Sequence, residues 1–178
     1  QELLRTSARS FVEREAPRHV LVAAQRDGTN LTRELWRKAA ELGWPGILVP
    51  SDLGGSESSL TDAAVLFEEL GRGPVPGPFF SSGVLGALTV MEAASSAQRR
   101  ALLPKVASGE AILSVAITEP SGSWGPAGVT LRARRAGDRV RLDGVKLFVS
   151  DASVATHLIV VVRTGDGIGH RCELEVHH

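Results

Sequence analysis

Ser114-Val115-Ala116-Ile117-Thr118-Glu119-Pro120 marks the point at which the chain changes character. Upstream, apolar residues recur at helical spacing, whereas from Ala111 onward the period is two. A second run, Leu142-Asp143-Gly144-Val145-Lys146-Leu147-Phe148-Val149-Ser150, repeats the design. Both runs are apolar and β-branched, end on a hydroxyl residue and are closed by a turn signal. Two such segments side by side make a wall, and a flat ligand can lie against it.

Downstream of that junction the pattern predicts four strands, over 111–118, 129–135, 139–149 and 156–163. Ala136-Gly137-Asp138 is a hairpin turn, and Asp143-Gly144 is a second tight turn or a bulge. Leu131, Ala133, Val140 and Leu142 alternate with Arg or Asp, as in a sheet with one wet face. Residues 164–169 read as loop. His177-His178 is a metal pair or, on the better reading, the end of an irregular tail over 171–178. An open-edged sheet also predicts that the natural protein continues past this point.

Upstream, Leu3, Leu4, Ala8, Phe11, Val12 and Ala16 define a first helix that Pro17 interrupts. Asp27-Gly28-Thr29-Asn30 is a loop, and Thr32 caps a helix carrying Leu35, Trp36, Ala39, Ala40 and Leu42, with Gly43 as its stop. The run 44–50 reads as an extended connector, and Gly54-Gly55 as a plain turn rather than a phosphate loop, for lack of a surrounding fingerprint. An amphipathic helix over 60–71 carries Glu68-Glu69 near its end, an acid–base site or, by default, a solvated pair. A helix over 79–94 is apolar almost all round, and Ser95 or Ser96 caps another over 97–107 that Pro104 bends.

Twenty Lys+Arg against twenty Asp+Glu leave no net charge, which argues against nucleic acid as the main partner. The positive charge is nearly all arginine, the residue suited to phosphate and carboxylate recognition. Cys172 is the single cysteine, which excludes a disulfide framework and a cysteine metal cluster and fits a cytoplasmic setting. No apolar run approaches the ~20 residues of a membrane helix, and no metal site is expected.

Four stretches, in this order, resemble the acyl-CoA dehydrogenase family: Glu41-Leu42-Gly43-Trp44 running to Val49-Pro50, Leu53-Gly54-Gly55, Phe67-Glu68-Glu69-Leu70-Gly71, and Ala116-Ile117-Thr118-Glu119-Pro120. The run from Asp143 to Ser150 is similar to the family's second flavin segment. The resemblance implies an α+β architecture: an all-α N-terminal domain (1–112), an antiparallel β-barrel-like middle domain (113–170, incomplete), and a C-terminal four-helix domain absent from this chain. It implies FAD as cofactor, an acyl-CoA thioester as substrate, a separate electron acceptor, and assembly as a homodimer, a tetramer or a heteromeric dehydrogenase.

By the same resemblance, Val115, Ile117, Thr118, Phe148, Val149 and Ser150 bind the flavin. Thr118 belongs near the pyrimidine side, Ser150 near N5, and Phe148 stands where the family often has Trp. Each also has an ordinary reading: Thr118 as a turn hydroxyl, Ser150 as a strand-end cap, Phe148 as core. Glu119 is more economically structural than catalytic. No catalytic residue is assigned, because the family's base lies in the C-terminal domain. Where the family continues with glycines and a Ser-Asp pair, this chain has Ser121-Gly122-Ser123-Trp124-Gly125-Pro126, so Ser123 and Trp124 are the substrate-side candidates.

Three functions follow from the resemblance. The first is an FAD-dependent acyl-CoA dehydrogenase that transfers a hydride to flavin N5. The second is a non-catalytic partner subunit with a degraded flavin site. The third is a flavin monooxygenase or oxidase on the same scaffold. The 178 residues alone are expected to hold little FAD and to be inactive.

Overall fold

The computed structural model describes residues 1–26, 33–137, 139–164 and 167–169. The helical part runs α1 (Glu2–Glu15), α2 (Arg18–Arg26), α3 (Arg33–Glu41), α4 (Leu60–Arg72), α5 (Ala87–Ala93) and α6 (Ser96–Ala107). The strands are β1 (Leu113–Ala116), β2 (Arg134–Ala136), β3 (Arg139–Arg141), β4 (His157–Val160), β5 (Val162–Thr164) and β6 (Gly167–Gly169). The expected loop 27–30, the Thr32 cap and the 171–178 tail lie outside the described residues.

Two of the helices begin where side chains satisfy the backbone. Ser59 and Asp62 form a reciprocal capping box at the start of α4, and Ser95 and Gln98 form another at α6. Pro17 separates α1 from α2, as its missing N–H requires. Phe11, Trp36, Trp44 and Phe79 make the aromatic centre of the first core, with Phe11 and Trp44 ring centroids 4.6 Å apart and Trp36 and Phe79 5.2 Å apart. The second core packs Val49, Ala87, Val90, Leu103 and Val106 against Leu113 and Ile159, joining helices to strands.

Several expectations need correction. Residues 44–49 are fully buried turns, with Ile47 N–H donating to Trp44 O and Val49 N–H to Gly46 O, so the segment is not extended. Glu69 is not solvated: it is 0% exposed and bridges α4 to α1. Arg9 donates twice to its carboxylate, at 2.8 and 3.0 Å, and Arg5 adds a bond at 3.0 Å. The apolar helix before α5 contains a wider π-helical turn over Ser81–Gly86. That turn brings Ser82 Oγ within 3.0 Å of the Leu113 N–H it accepts.

The strands are shorter and more divided than the alternation implied. Among the described residues they form three two-stranded sheets, β1–β4, β2–β3 and β5–β6, rather than a closed barrel-like sheet. The β1–β4 pair is parallel, with Leu113 opposite His157 and Ala116 opposite Val160, whereas the other two are antiparallel. The predicted loop over 164–169 contains the end of β5 and all of β6. The long strand predicted over 139–149 stops at Arg141.

Candidate functional site

The two hydroxyl-tipped runs lie side by side, in opposite directions. Leu147 N–H donates to Thr118 O at 2.8 Å, and at the other end Ser114 Oγ–H donates to Ser150 O. Lys146 Nζ reaches across to Ile117 O at 3.0 Å and to Glu119 Oε1 at 2.8 Å. Behind them β4 backs β1, with Val161 N–H donating to Ala116 O at 3.0 Å. The first run is thus fixed on one side by β4 and on the other by the second run.

Glu119 is the buried anchor of this arrangement, as its structural reading anticipated. Its side chain is 5% exposed and that of Lys146 is 7% exposed. Besides Lys146, it accepts from Thr130 N–H at 2.9 Å, from Leu131 N–H at 3.0 Å and from the Thr130 hydroxyl. Burial by itself raises a carboxyl pKa, but the bonds from Lys146, Thr130 and Leu131 outweigh it and hold Glu119 at about 2. A carboxylate so fully engaged is no general base.

The predicted flavin-side residues fall in one place. Thr118 is buried, Val115, Ile117 and Val149 are half-buried, and Ser150 is exposed. Among the described residues, the backbone N–H groups of Ile117, Thr118, Val149 and Ser150 find no hydrogen-bond acceptor. Phe148 is not core: it is 90% exposed, with φ at +54°. A bulky side chain in the left-handed region is strained by about 1–3 kcal/mol. The result is an edge of available donors beside an unstacked ring, a surface suited to a planar group with acceptors on its rim.

The substrate-side candidates are placed differently. Ser123 and Trp124 occupy an exposed loop, and Trp124 is 81% exposed. That loop leans on the turn Pro126–Gly128, where a Cβ on Gly128 would come 2.4 Å from Ser123 O. Arg163 holds the turn from below, donating to Val129 O and Pro126 O, each at 3.0 Å.

Sequence reasoning missed three residues that position the edge: Lys146, Ser114 and Ser81. Ser81 Oγ–H donates to Asp151 Oδ2 at 2.6 Å, tying the π-helical turn to the residue after Ser150. Lys146, one of only three lysines, had a usable signal in its rarity; the serines had none.

The sequence model of the "Acyl-CoA dehydrogenase, N-terminal domain" matches residues 1–110, more than half of the chain. The chain belongs to the acyl-CoA dehydrogenase family. Among its relatives, the mitochondrial isobutyryl-CoA dehydrogenase of Dictyostelium discoideum is 35% identical over 134 residues, 75% of this chain and 32% of the relative. A solved variant of the Tcur3481-Tcur3483 steroid ACAD superposes with a TM-score of 0.83 at 32% identity, covering 95% of this chain and 46% of that one. The ChsE4-ChsE5 complex from Mycobacterium tuberculosis gives a TM-score of 0.76 at 26% identity, covering 93% of this chain and 42% of its own. The chain therefore spans less than half the length of these acyl-CoA dehydrogenase relatives. Among its described residues no helix is long and apolar enough to cross a membrane.

Proposed function

We propose that this chain is the N-terminal and middle portion of an FAD-dependent acyl-CoA dehydrogenase, with residues 1–112 as helical domain and 113–170 as β domain. The single observation that carries this reading is the pinning of 114–118 to 146–150, which sets unpaired N–H donors beside an exposed aromatic ring. When bound, FAD would supply the hydride acceptor for α,β-dehydrogenation of an acyl-CoA thioester.

This chain's own residues would bind and orient. The N–H groups of Ile117 and Thr118, with the Thr118 hydroxyl, suit the pyrimidine edge of the ring, and Val115 backs them. The N–H groups of Val149 and Ser150, with the Ser150 hydroxyl, suit the edge near N5, and Phe148 would stack on one face. Lys146 and Glu119 would keep the edge straight without touching substrate. The base that removes the α-proton would come from outside these residues, since Glu119 is fully engaged. A cytoplasmic site of action and an electron acceptor complete the proposal.

A second reading, a partner subunit that keeps the fold but not the chemistry, is favoured by Trp124, an exposed indole where the family carries a small polar residue. The ChsE4-ChsE5 neighbour is a complex of two named components, the kind of assembly this reading needs.

The visible spectrum of the complete purified protein separates the two. Flavin bands bleached anaerobically by an acyl-CoA support the dehydrogenase, and Ser150→Ala should then slow bleaching while leaving thioester binding in place. A colourless protein that still assembles with a homologous subunit supports the partner reading and removes the first.

A further inference from the structure

Among the described residues, Glu57, Phe148 and Asp151 are the non-glycine residues with a positive φ. Two of them, Phe148 at +54° and Asp151 at +55°, flank the dipeptide Val149-Ser150. A residue with a Cβ is disfavoured in the left-handed region and persists there only where its surroundings fix it. Asp tolerates it better than most, because its short polar side chain can form a hydrogen bond. In Asp151 that bond is made to a distant element.

Asp151 Oδ2 accepts from Ser81 Oγ–H at 2.6 Å, and its carbonyl accepts from Val154 N–H at 3.1 Å and Ala155 N–H at 3.0 Å. One residue earlier, Ser150 O accepts from the Ser114 hydroxyl. The peptide joining Ser150 to Asp151 is thus gripped twice, through its oxygen by β1 and through the Asp151 side chain by the helical layer. Both partners are set in the interior: Ser81 is 3% exposed and Ser114 0%. Ser81 opens the π-helical turn, a form frequent at functional sites. That turn is pressed onto β1, since a Cβ on Gly86 would come 2.5 Å from Leu113 Cβ. While Ser150 O stays on Ser114, rotation about φ of Asp151 would swing its carboxylate off Ser81.

We propose that Asp151 is a positioning residue for the flavin edge, with Ser81 as its catch. Held at positive φ between Ser81 and Ser114, it keeps the Val149 and Ser150 N–H groups and the Ser150 hydroxyl turned toward the ring, and it acts through Ser150. This role rests on the function proposed above. It adds that the helical layer helps to set the reactive side of the site.

Three variants of the complete protein test it. Ser81→Ala removes the donor, Asp151→Gly keeps positive φ accessible but removes the acceptor, and Asp151→Asn keeps both. The first two should each weaken FAD binding about fivefold, read by flavin fluorescence on titrating the apoprotein. They should also alter the visible circular dichroism of the flavin bands and slow bleaching by an acyl-CoA about 10- to 100-fold, with KM for the thioester unchanged. Asp151→Asn should recover most of each loss. Ser81→Ala carries the comparison if Asp151→Gly does not fold. A wild-type protein that takes up no flavin removes the proposed function and this role with it. A yellow wild type whose Ser81→Ala and Asp151→Gly variants match it in FAD affinity and band shape overturns this role alone. So does a loss in Asp151→Asn equal to that in Asp151→Gly, which would make the carboxylate charge, rather than the catch, the active feature.

Discussion

At the scale of single residues, two side chains decide how the site edge is held. The Glu119–Lys146 pair is buried, so removing one partner leaves an uncompensated charge. Lys146→Met should therefore cost about 3–5 kcal/mol, read as a lower urea midpoint with unchanged slope. The same pair sets an acid limit. Glu119 titrates near 2 in the folded chain, below its usual 4.5, so its contribution is intact above 4.5 and is lost as pH falls toward 2. Glu69, held at about 2 chiefly by Arg9 against the cost of burial, fails over the same range. Acid unfolding should thus begin below pH 4.5 and move upward in Lys146→Met; an unchanged acid limb would remove the pair's assigned role. Phe148 makes the opposite case. It is 90% exposed at φ +54°, so Phe148→Gly should leave the stability of this chain unchanged or raised by up to about 1 kcal/mol. The same change should abolish flavin retention in the complete protein. A clear loss of stability in the short chain would mean that the ring already packs.

Elements show where sequence patterning suffices and where it fails. The helices were legible by their apolar spacing and α6 also by its Ser95 cap, whereas the Ser59 cap of α4 went unread. Segment 44–50 was misread because Pro and Gly signal an interruption without saying whether the chain extends or folds into buried turns. Gly54 and Gly55 show what such turns demand. Gly54 sits at φ +83° in open space, whereas a Cβ on Gly55 would come 2.0 Å from Val49 O. Gly54→Ala should cost about 1–2 kcal/mol, the price of a left-handed residue. Gly55→Ala should cost clearly more, because the obstacle is backbone that cannot rotate away. Denaturation of the two variants checks the order, and a reversed order would show that the turn is free to shift. The strands were legible in place but not in partner. Alternation marks which face is wet; it does not say that β1 runs parallel to β4, since that pairing depends on where the intervening chain returns.

In the molecule as a whole, the site edge exists because a helical layer and a set of small sheets are tied together by polar contacts that no periodicity encodes. Ser82 Oγ accepts from Leu113 N–H, Thr156 Oγ1 accepts from Ile112 N–H at 2.9 Å, and Ser81 donates to Asp151. The first two lie at the root of β1, inside the packed region. Ser81–Asp151 lies further out, where the chain leaves Ser150 and where Asp151 itself sits at φ +55°. It links the helical part directly to the end of the second segment. Ser81→Ala removes one hydrogen bond, worth about 1 kcal/mol, from that outer link while the apolar joint at Val90, Leu113 and Ile159 stays whole. The amides of Ala152, which donates to Val149 O, and of Val154 and Ala155, which both donate to Asp151 O, should therefore exchange about 5- to 10-fold faster with solvent deuterium. Amides of α1 and α4, closed by the Glu69 bridge, should keep their wild-type rates. Equal acceleration in both regions would mean that the link stabilises the whole fold rather than the edge, and that the edge does not open independently of the helices beneath it.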